Sequence, residues 1–217
     1  MHIFAILSQL KQICNHPAAY LKDVQNYASY HSGKWELFVE LLHEARDSGQ
    51  KVVVFSQYLA MLDLLQTYLN DQQIGYASVR GATVDRASQI RRFNHDPHCE
   101  VFLGSLQAVG LGVDLTAGSV VINYDRWWNA ARENQATDRV HRIGQTRGVQ
   151  VFKLVTKGTF EERIDELILK KGRLMDEVVG ADPEDLIKRL NRHELMDLLQ
   201  EIETDKAEAE ERMKDEG

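Results

Sequence analysis

Residues Lys51–Tyr58 read KVVVFSQY, a run of β-branched and aromatic residues that ends in polar side chains. Such a run predicts a buried strand of a parallel sheet, because strands covered on both faces have few polar positions. Similar runs follow at Tyr76–Arg80, Glu100–Gly104, Ser119–Asn123 and Val149–Val155. Apolar residues recur with helical spacing in Lys34–Arg46, Leu59–Leu69, Val84–Phe93 and Ala130–Arg142. This alternation predicts an α/β domain in which helices cover a mainly parallel sheet.

Length and composition are those of a soluble protein with one main core. The 217 residues are 43% hydrophobic, which is enough for one α/β domain with a helical appendage. No apolar run reaches the roughly 20 residues of a membrane helix, and Met1–Leu10 does not have the features of an export signal. Cys14 and Cys99 have no metal-ligand spacing, so we expect reduced, packed thiols and no metal site.

Charge is distributed unevenly along the chain. Residues 1–160 contain 16 basic and 14 acidic residues, whereas residues 161–217 contain 10 basic and 19 acidic residues. Residues 126–157 contain seven basic and two acidic residues, and this local excess of positive charge can attract phosphates. By charge alone, this segment is equally well interpreted as a solvated face.

The most specific segment is Gln135–Gln145, which reads QATDRVHRIGQ. On a helix, its polar members form one stripe and its apolar members another. Arg139 and Arg142 on one face can grip a phosphate chain, and Gln135 and Asp138 are placed to hold their side chains. Taken alone, the same arginines are also typical of a salt-bridged surface helix.

The complete segment resembles the last helicase motif of the SWI/SNF family of DNA-dependent ATPases. Other segments of the chain resemble further motifs of this family, in the family's order: Lys51–Tyr58, Arg80–Gly81 with Arg91–Asn94, Ser105–Thr116 and Tyr124–Asn129. Leu10–Pro17 and Ser32–Lys34 resemble the end of the segment that joins the two lobes of the motor. The resemblance covers about residues 6–180.

The resemblance implies a RecA-like three-layer α/β domain, followed by C-terminal helices. It places the end of the inter-lobe linker, mostly helical, at 1–31 and the C-terminal helicase lobe at 32–158. A brace helix at 159–180 and an acidic helical tail at 181–217 complete the expected organisation. The lack of a large insertion between Tyr124 and Gln135 is typical of compact bacterial or archaeal members.

The family's functional residues carry over onto matching positions of this sequence. Arg139 and Arg142 would be arginine fingers that contact ATP bound by the other lobe. Nucleotide contacts are implied at Gly110, Gly112, Asp114, Gln135 and Asp138. Contacts to the DNA backbone are implied at Ser56, Gln57, Arg80, Gly81, Thr83, Ser105 and Gln107. Packing and inter-lobe contacts are implied at Trp127, Trp128 and Asn129. Asp114 stands where the family commonly has Asn, and Val109 where it commonly has Gly.

The sequence lacks the residues that bind ATP and Mg²⁺ in such motors. Ser32–Lys34 is not a phosphate-binding loop, because Ala28 occupies the required glycine position and Trp35 follows the lysine. We therefore expect ATP and Mg²⁺ to bind only through the N-terminal lobe, and this chain alone to bind neither. The sequence leaves open whether this chain alone is an enzyme. The two-lobe protein is expected to hydrolyse ATP.

The expected function is thus the C-terminal lobe of an ATP-dependent double-stranded DNA translocase or remodelling ATPase. The expected partners are double-stranded DNA, the N-terminal lobe and, through the acidic tail, a protein. The alternatives are a non-catalytic DNA- or protein-binding module and the lobe of an RNA helicase. The expected location is the cytoplasm, with the nucleoid, in a bacterium and the nucleus in a eukaryote.

Overall fold

The computed structural model of the chain describes residues 3–105, 108, 113–126, 137, 140, 148–163 and 165–166. These residues belong to two compact units, the first containing the described residues up to Leu154 and the second those from Val155 onward. Within the described part, every helix is too short or too polar to span a lipid bilayer. The predicted helix Ala130–Arg142, apart from Thr137 and Val140, and the predicted tail 181–217 lie outside the described residues.

The first unit alternates helices and strands along the chain. It begins with α1 (Ile3–Asn15), α2 (Pro17–Leu21) and a 3₁₀ helix (Val24–Ser29). The regular alternation then follows: α3 (Gly33–Asp47), β1 (Lys51–Ser56), α4 (Leu59–Asp71), β2 (Tyr76–Val79), α5 (Arg86–His95), β3 (Val101–Ser105), β4 (Gly118–Asn123) and β5 (Gln150–Lys153).

The five strands form one sheet in the order β2-β3-β1-β4-β5, and every pairing is parallel. The central strand β1 is flanked on both sides, with Val53 opposite Phe102 of β3 and Val121 of β4. All five predicted strands are present, and the predicted parallel sheet is confirmed. The last strand is shorter than predicted, since it contains only Gln150–Lys153.

Helices cover both faces of the sheet. On one face, α3 and α4 bury apolar side chains such as Phe38 and Leu65 in a single core with Val54 of β1. On the other face, the Phe93 ring of α5 packs edge-to-face on Phe102 of β3, with 5.5 Å between the ring centroids. This is the three-layer α/β arrangement that the sequence predicts.

The loop between β2 and α5 is longer than the sequence predicts. The helix begins at Arg86 rather than Val84, because the carboxylate of Asp85 accepts a hydrogen bond from the Ser88 N–H (2.9 Å) and caps the first turn. Val84 is left fully exposed in the loop. The strand β2 ends one residue early, because the Arg80 N–H donates to the Thr83 hydroxyl (2.9 Å) instead of continuing the ladder.

The described part of the second unit is a turn and the start of a helix at Phe160. The Thr156 N–H donates to Glu161 Oε2 (2.9 Å), and the Gly158 N–H donates to Glu162 Oε2 (2.8 Å). These bonds fix the turn in which Gly158 has φ +70°. The predicted domain boundaries after residues 31, 158 and 180 stay predictions.

His16 joins α1 to α2 in a fully buried position. Its Nδ1 accepts a hydrogen bond from the Ala18 N–H (3.1 Å), which caps α2, and its ring packs edge-on to Trp35 with 5.3 Å between centroids. Burial disfavours the charged imidazolium and lowers the pKa of His16 from 6.5 to about 4. The folded protein therefore holds His16 neutral across the physiological pH range.

This pKa predicts how stability changes with pH. Between pH 6.5 and pH 4 the unfolded chain binds a proton at His16 that the folded chain does not, so the free energy of unfolding falls as the pH falls. The variant His16→Asn keeps a capping acceptor but has no titrating group. We expect the free energy of unfolding of this variant to fall by about 2 kcal/mol less than that of the unaltered chain between pH 7 and pH 5. Urea unfolding followed by circular dichroism measures this. The exposed His31→Asn is the control, and an equal pH dependence in both variants would contradict the assignment.

Candidate functional site

The carboxyl ends of β1, β2 and β3 meet along one edge of the sheet. Ser56 lies opposite Ser105, and Val79 lies opposite Gly104, so the loops that follow the three strands leave the sheet side by side. In open α/β sheets this edge is where ligands bind. The structure thus brings together six of the seven predicted DNA-contact residues: Ser56, Gln57, Arg80, Gly81, Thr83 and Ser105.

Ser56 and Ser105 are directed inward at this edge and are 0% and 5% exposed. The Ser56 hydroxyl donates to Asp125 Oδ2 and accepts from the Tyr58 N–H (3.1 Å). The Ser105 hydroxyl accepts from the Ala108 N–H (3.3 Å). Both residues end buried central strands, which draws their side chains into the protein. The structure therefore does not favour the direct DNA contacts that the sequence suggests for these two hydroxyls.

Gln57 is held at the edge by two hydrogen bonds to the segment after β4. Its main-chain N–H donates to Asp125 Oδ1 (3.1 Å), and its side-chain Nε2 donates to the main-chain oxygen of Arg126 (3.2 Å). An amide group has two N–H donors, and the second one has no acceptor among the described residues. Gln57 is half-buried, so this donor is accessible to a ligand at the edge.

The carboxylate of Asp125 is fully buried and accepts hydrogen bonds from several sides. Besides Ser56 and the Gln57 N–H, Asn15 Nδ2 donates to Oδ2 at 3.5 Å. Burial raises the pKa of Asp125, while the positive charge of Lys11, the bonds from Ser56 and Gln57, and the charge of Lys34 act in the opposite direction. Burial has the largest effect, so the pKa of Asp125 is raised overall.

Sequence reasoning missed this buried group of polar residues. Lys11 is 0% exposed, Asn15 1% and Lys34 5%. A signal was present in α1, because Leu7, Lys11 and Asn15 are spaced four residues apart and so lie on one helical face. The buried Leu7 identifies that face as the inner one. A lysine and an asparagine in line with a core leucine indicate an internal polar partner.

Arg80 is positioned by helix α4 rather than projecting freely. Its Nη1 forms an ion pair with Asp63 Oδ1 at 2.5 Å, and its Nη2 donates to Gln66 Oε1. The side chain of Arg80 is 23% exposed and that of Asp63 is 51% exposed. An ion pair this exposed contributes little to stability, about 0–1 kcal/mol. Arg80 can therefore exchange Asp63 for a phosphate with little loss.

The loop after β2 has a defined internal structure. The Thr83 N–H donates to the Arg80 carbonyl (3.1 Å), and Arg86 Nη2 donates to the Gly81 carbonyl (2.9 Å). Gly81 is exposed at the turn. The Thr83 hydroxyl accepts from the Arg80 N–H and keeps its own hydrogen for a further acceptor.

Asn94 of α5 fixes the segment that leads into β4. Its Nδ2 donates to the main-chain oxygen of Asp114 (2.8 Å), and its Oδ1 accepts from the Ala117 N–H (3.2 Å). One side chain thus links two points of the segment to the helix that packs on the sheet. The main-chain position of Asp114, a predicted nucleotide contact, is set in this way.

Val140 is fully buried, as expected for the apolar stripe of the segment Gln135–Gln145. A Cβ built on Gly118 of β4 would lie 3.3 Å from Val140 Cγ1 and 2.7 Å from Val53 Cγ2. The missing side chain at Gly118 therefore leaves room for Val140 to pack on the sheet. Ten predicted site residues lie outside the described residues: Gln107, Gly110, Gly112, Trp127, Trp128, Asn129, Gln135, Asp138, Arg139 and Arg142.

No group of three or more His, Cys, Asp and Glu side chains suited to a metal ion occurs among the residues that the structure describes.

The sequence matches the family model described as "Helicase conserved C-terminal domain" over residues 33–144. It is 38% identical over 200 residues to "Putative ATP-dependent helicase/translocase YwqA" of Bacillus subtilis, covering 90% of this chain and 21% of that protein. The chain spans about a fifth or less of the length of the curated relatives it matches.

Solved structures are similar over most of the chain. The "Sulfolobus solfataricus SWI2/SNF2 ATPase C-terminal domain" is 31% identical with a TM-score of 0.68, and the match covers 89% of this chain and 78% of that one. The "Sulfolobus solfataricus SWI2/SNF2 ATPase core in complex with dsDNA" is 34% identical with a TM-score of 0.70, covering 89% and 40% of the two chains.

The contacts of Asn94 predict a stabilising role. We expect Asn94→Ala to lower the free energy of unfolding by about 1–2 kcal/mol, because two partly buried main-chain groups lose their partner. The matched control is Asn70→Ala on the exposed side of α4, for which we expect a change within about 0.5 kcal/mol. Urea denaturation of both variants provides the comparison. Equal midpoints would show that the Asn94 bonds contribute no net stability.

Proposed function

Since the chain belongs to the helicase conserved C-terminal domain family and is similar to solved SWI2/SNF2 ATPase structures, we propose that it is the C-terminal lobe of a double-stranded DNA translocase. The observation that carries the proposal is the shared sheet edge, where the loop after β3 lies between Gln57 and the Arg80–Thr83 loop. Backbone contacts from such an edge would track DNA without reading its sequence.

In this proposal, ATP and Mg²⁺ are held by the N-terminal lobe. The sequence supports this, because it contains no motif of a phosphate-binding loop. When bound there, the nucleotide and Mg²⁺ supply the phosphoryl group and the charge balance for its transfer to water. This chain contributes donors from outside that site.

Arg139 and Arg142 are the proposed donors to the γ-phosphate oxygens. The burial of Val140 supports this proposal, because the sequence predicts Val140 in the apolar stripe of the segment Gln135–Gln145 and the arginines in its polar stripe. Gln135 and Asp138 would orient the guanidinium groups, and Gly110 and Gly112 would let the main chain approach the nucleotide beside Asp114.

The proposed DNA contacts come from the part of the edge that is not buried. The second N–H of the Gln57 amide, the Arg80 guanidinium and the Thr83 hydroxyl are donors suited to phosphate oxygens, and Gly81 allows close approach of the main chain. Gln107 remains part of the proposed set. Trp127, Trp128 and Asn129 are proposed to pack at the surface between the lobes.

Two alternatives are outcomes of the same biochemical assays. A non-catalytic DNA- or protein-binding module, including one that docks a protein through the acidic tail, would support no ATP turnover even with an N-terminal lobe present. An RNA helicase lobe would give turnover that RNA stimulates more than DNA. ATPase assays of the two-lobe protein with duplex DNA and with RNA separate these possibilities.

The finger role predicts a large kinetic effect. In the two-lobe protein, we expect Arg142→Ala to lower DNA-stimulated kcat by about 10³- to 10⁵-fold, because charge on the γ-phosphate is no longer neutralised. Arg142→Lys should recover little, since an ammonium group does not reproduce the bidentate guanidinium contact. The exposed Lys157→Ala removes a charge from the same basic segment and is the control. Unchanged turnover in Arg142→Ala would refute the role.

The Arg80 ion pair predicts opposite effects of two substitutions on DNA affinity. Arg80→Ala should weaken binding of a short DNA duplex and reduce the slope of log Kd against log salt by about 1. Asp63→Ala should strengthen binding up to about fivefold, because the guanidinium loses its competing carboxylate. Glu40→Ala removes another exposed acid, from α3, and controls for net charge. Fluorescence anisotropy measures each affinity, and equal gains from Asp63→Ala and Glu40→Ala would contradict the contact.

A further inference from the structure

Two lysines of the first unit are buried in the protein. Lys11 of α1 is 0% exposed, and Lys34 at the start of α3 is 5% exposed. Removing an ammonium group from water costs several kcal/mol unless hydrogen bonds and opposite charge offset it. We call Lys11, Asn15, Lys34 and Asp125 the α1 cluster. Its members bring α1, α3 and the end of β4 together through polar contacts.

The contacts of the α1 cluster form a continuous path. Lys34 Nζ donates to Asn15 Oδ1 (3.2 Å), and Asn15 Nδ2 donates to Asp125 Oδ2 (3.5 Å). Lys11 Nζ donates to the main-chain oxygen of Arg126, the residue after Asp125. The path therefore runs from two helices to two consecutive residues beyond β4.

The same two residues hold Gln57. Asp125 accepts the Gln57 N–H at 3.1 Å, and the Arg126 carbonyl accepts Gln57 Nε2 at 3.2 Å. A carbonyl oxygen can accept two hydrogen bonds, and here it accepts from both the Lys11 ammonium and the Gln57 amide. The orientation of the Gln57 amide thus depends on where α1 holds the Arg126 carbonyl.

We propose that Lys11 is a positioning residue for DNA binding, because through the Arg126 carbonyl and the α1 cluster it fixes the Gln57 amide toward a DNA phosphate. This inference rests on the proposed DNA contact of Gln57. Lys11 is fully buried and does not reach DNA itself, so it acts only through its neighbours. A displacement of α1 would then change the affinity of this edge for DNA.

A purely structural role for Lys11 makes a different prediction. In that case its loss would weaken DNA binding independently of Gln57, through general loosening of the fold. A positioning role requires that the effect disappear once Gln57 is gone. A double-mutant cycle separates the two, because it measures the dependence of one substitution on the other.

The experiment compares Lys11→Met, Gln57→Ala and the double variant of the 217-residue chain, with binding of a short fluorescent DNA duplex as the readout. We expect each single variant to bind about two- to tenfold more weakly, the range of one hydrogen bond, and the double variant to bind no more weakly than Gln57→Ala. If the double variant loses the product of the two single losses of affinity, the proposal is overturned. Lys11→Arg, which retains a cationic donor, should restore most of the affinity.

Lys51→Met is the matched control for losing a lysine that binds main-chain carbonyls. Lys51 Nζ donates to the carbonyls of Phe93 (2.6 Å) and Asp96 (2.7 Å) at the opposite end of β1. We expect Lys51→Met to lower thermal stability, and its effect on DNA affinity to be independent of Gln57→Ala. If Lys11→Met does not fold, Asn15→Ala replaces it in the cycle, and we expect the same loss of additivity. Additive behaviour of Asn15→Ala would overturn the proposal in that case.

The outcomes distinguish this inference from the proposed function. If the unaltered chain does not bind DNA, or if Gln57→Ala binds as tightly as the unaltered chain, the DNA contact of Gln57 is wrong and the inference fails with it. If Gln57→Ala weakens binding but folded Lys11→Met does not, the DNA contact stands and the positioning role alone is refuted.

The nitrogen-15 NMR signals of the Gln57 side-chain amide give a readout without DNA. They should shift in Lys11→Met and not in Lys51→Met.

Discussion

The carboxylate of Asp125 must be satisfied inside the protein, and the ends of β1 and β4 are arranged around that requirement. A buried carboxylate without donors would cost several kcal/mol, so Ser56, Gln57 and Asn15 all direct donors to it. The same bonds determine where the chain leaves the sheet after β1 and β4. The position of the edge loop therefore follows from an internal electrostatic need.

Because the strands are parallel, the loop after β1 forms one surface with the loops that follow β2 and β3. Because β1 is central and β3 lies beside it, the loops that follow β1, β2 and β3 emerge next to one another. Helix residues fix two of these loops: Asp63 and Gln66 hold Arg80, and Asn94 holds the segment before β4. Rigid elements thus position the polar groups, which is how α/β enzymes commonly build their sites.

The sequence predicts the sheet well because its strands are buried on both faces and read as unbroken apolar runs such as Val52–Phe55. Helix and strand ends were less predictable, since Asp85 and Thr83 set them through side-chain hydrogen bonds. The edge followed from the parallel fold, but the inward direction of Ser56 did not, because its partner Asp125 is 69 residues away. The alignment of Lys11 with Leu7 indicated its burial, but its acceptor could not be predicted, because that oxygen lies on a distant segment.

The central position of β1 also affects how the protein is made. This strand is synthesised before both of its neighbours, and its second ladder cannot form until the chain has been translated past Asn123. At about 5–20 residues per second, the apolar segment Val52–Phe55 waits for several seconds without its partners on the ribosome. Nascent chains of this architecture therefore need chaperone protection or early cover from α3 and α4, and a ribosomal pause placed shortly before β4 would prolong that exposure.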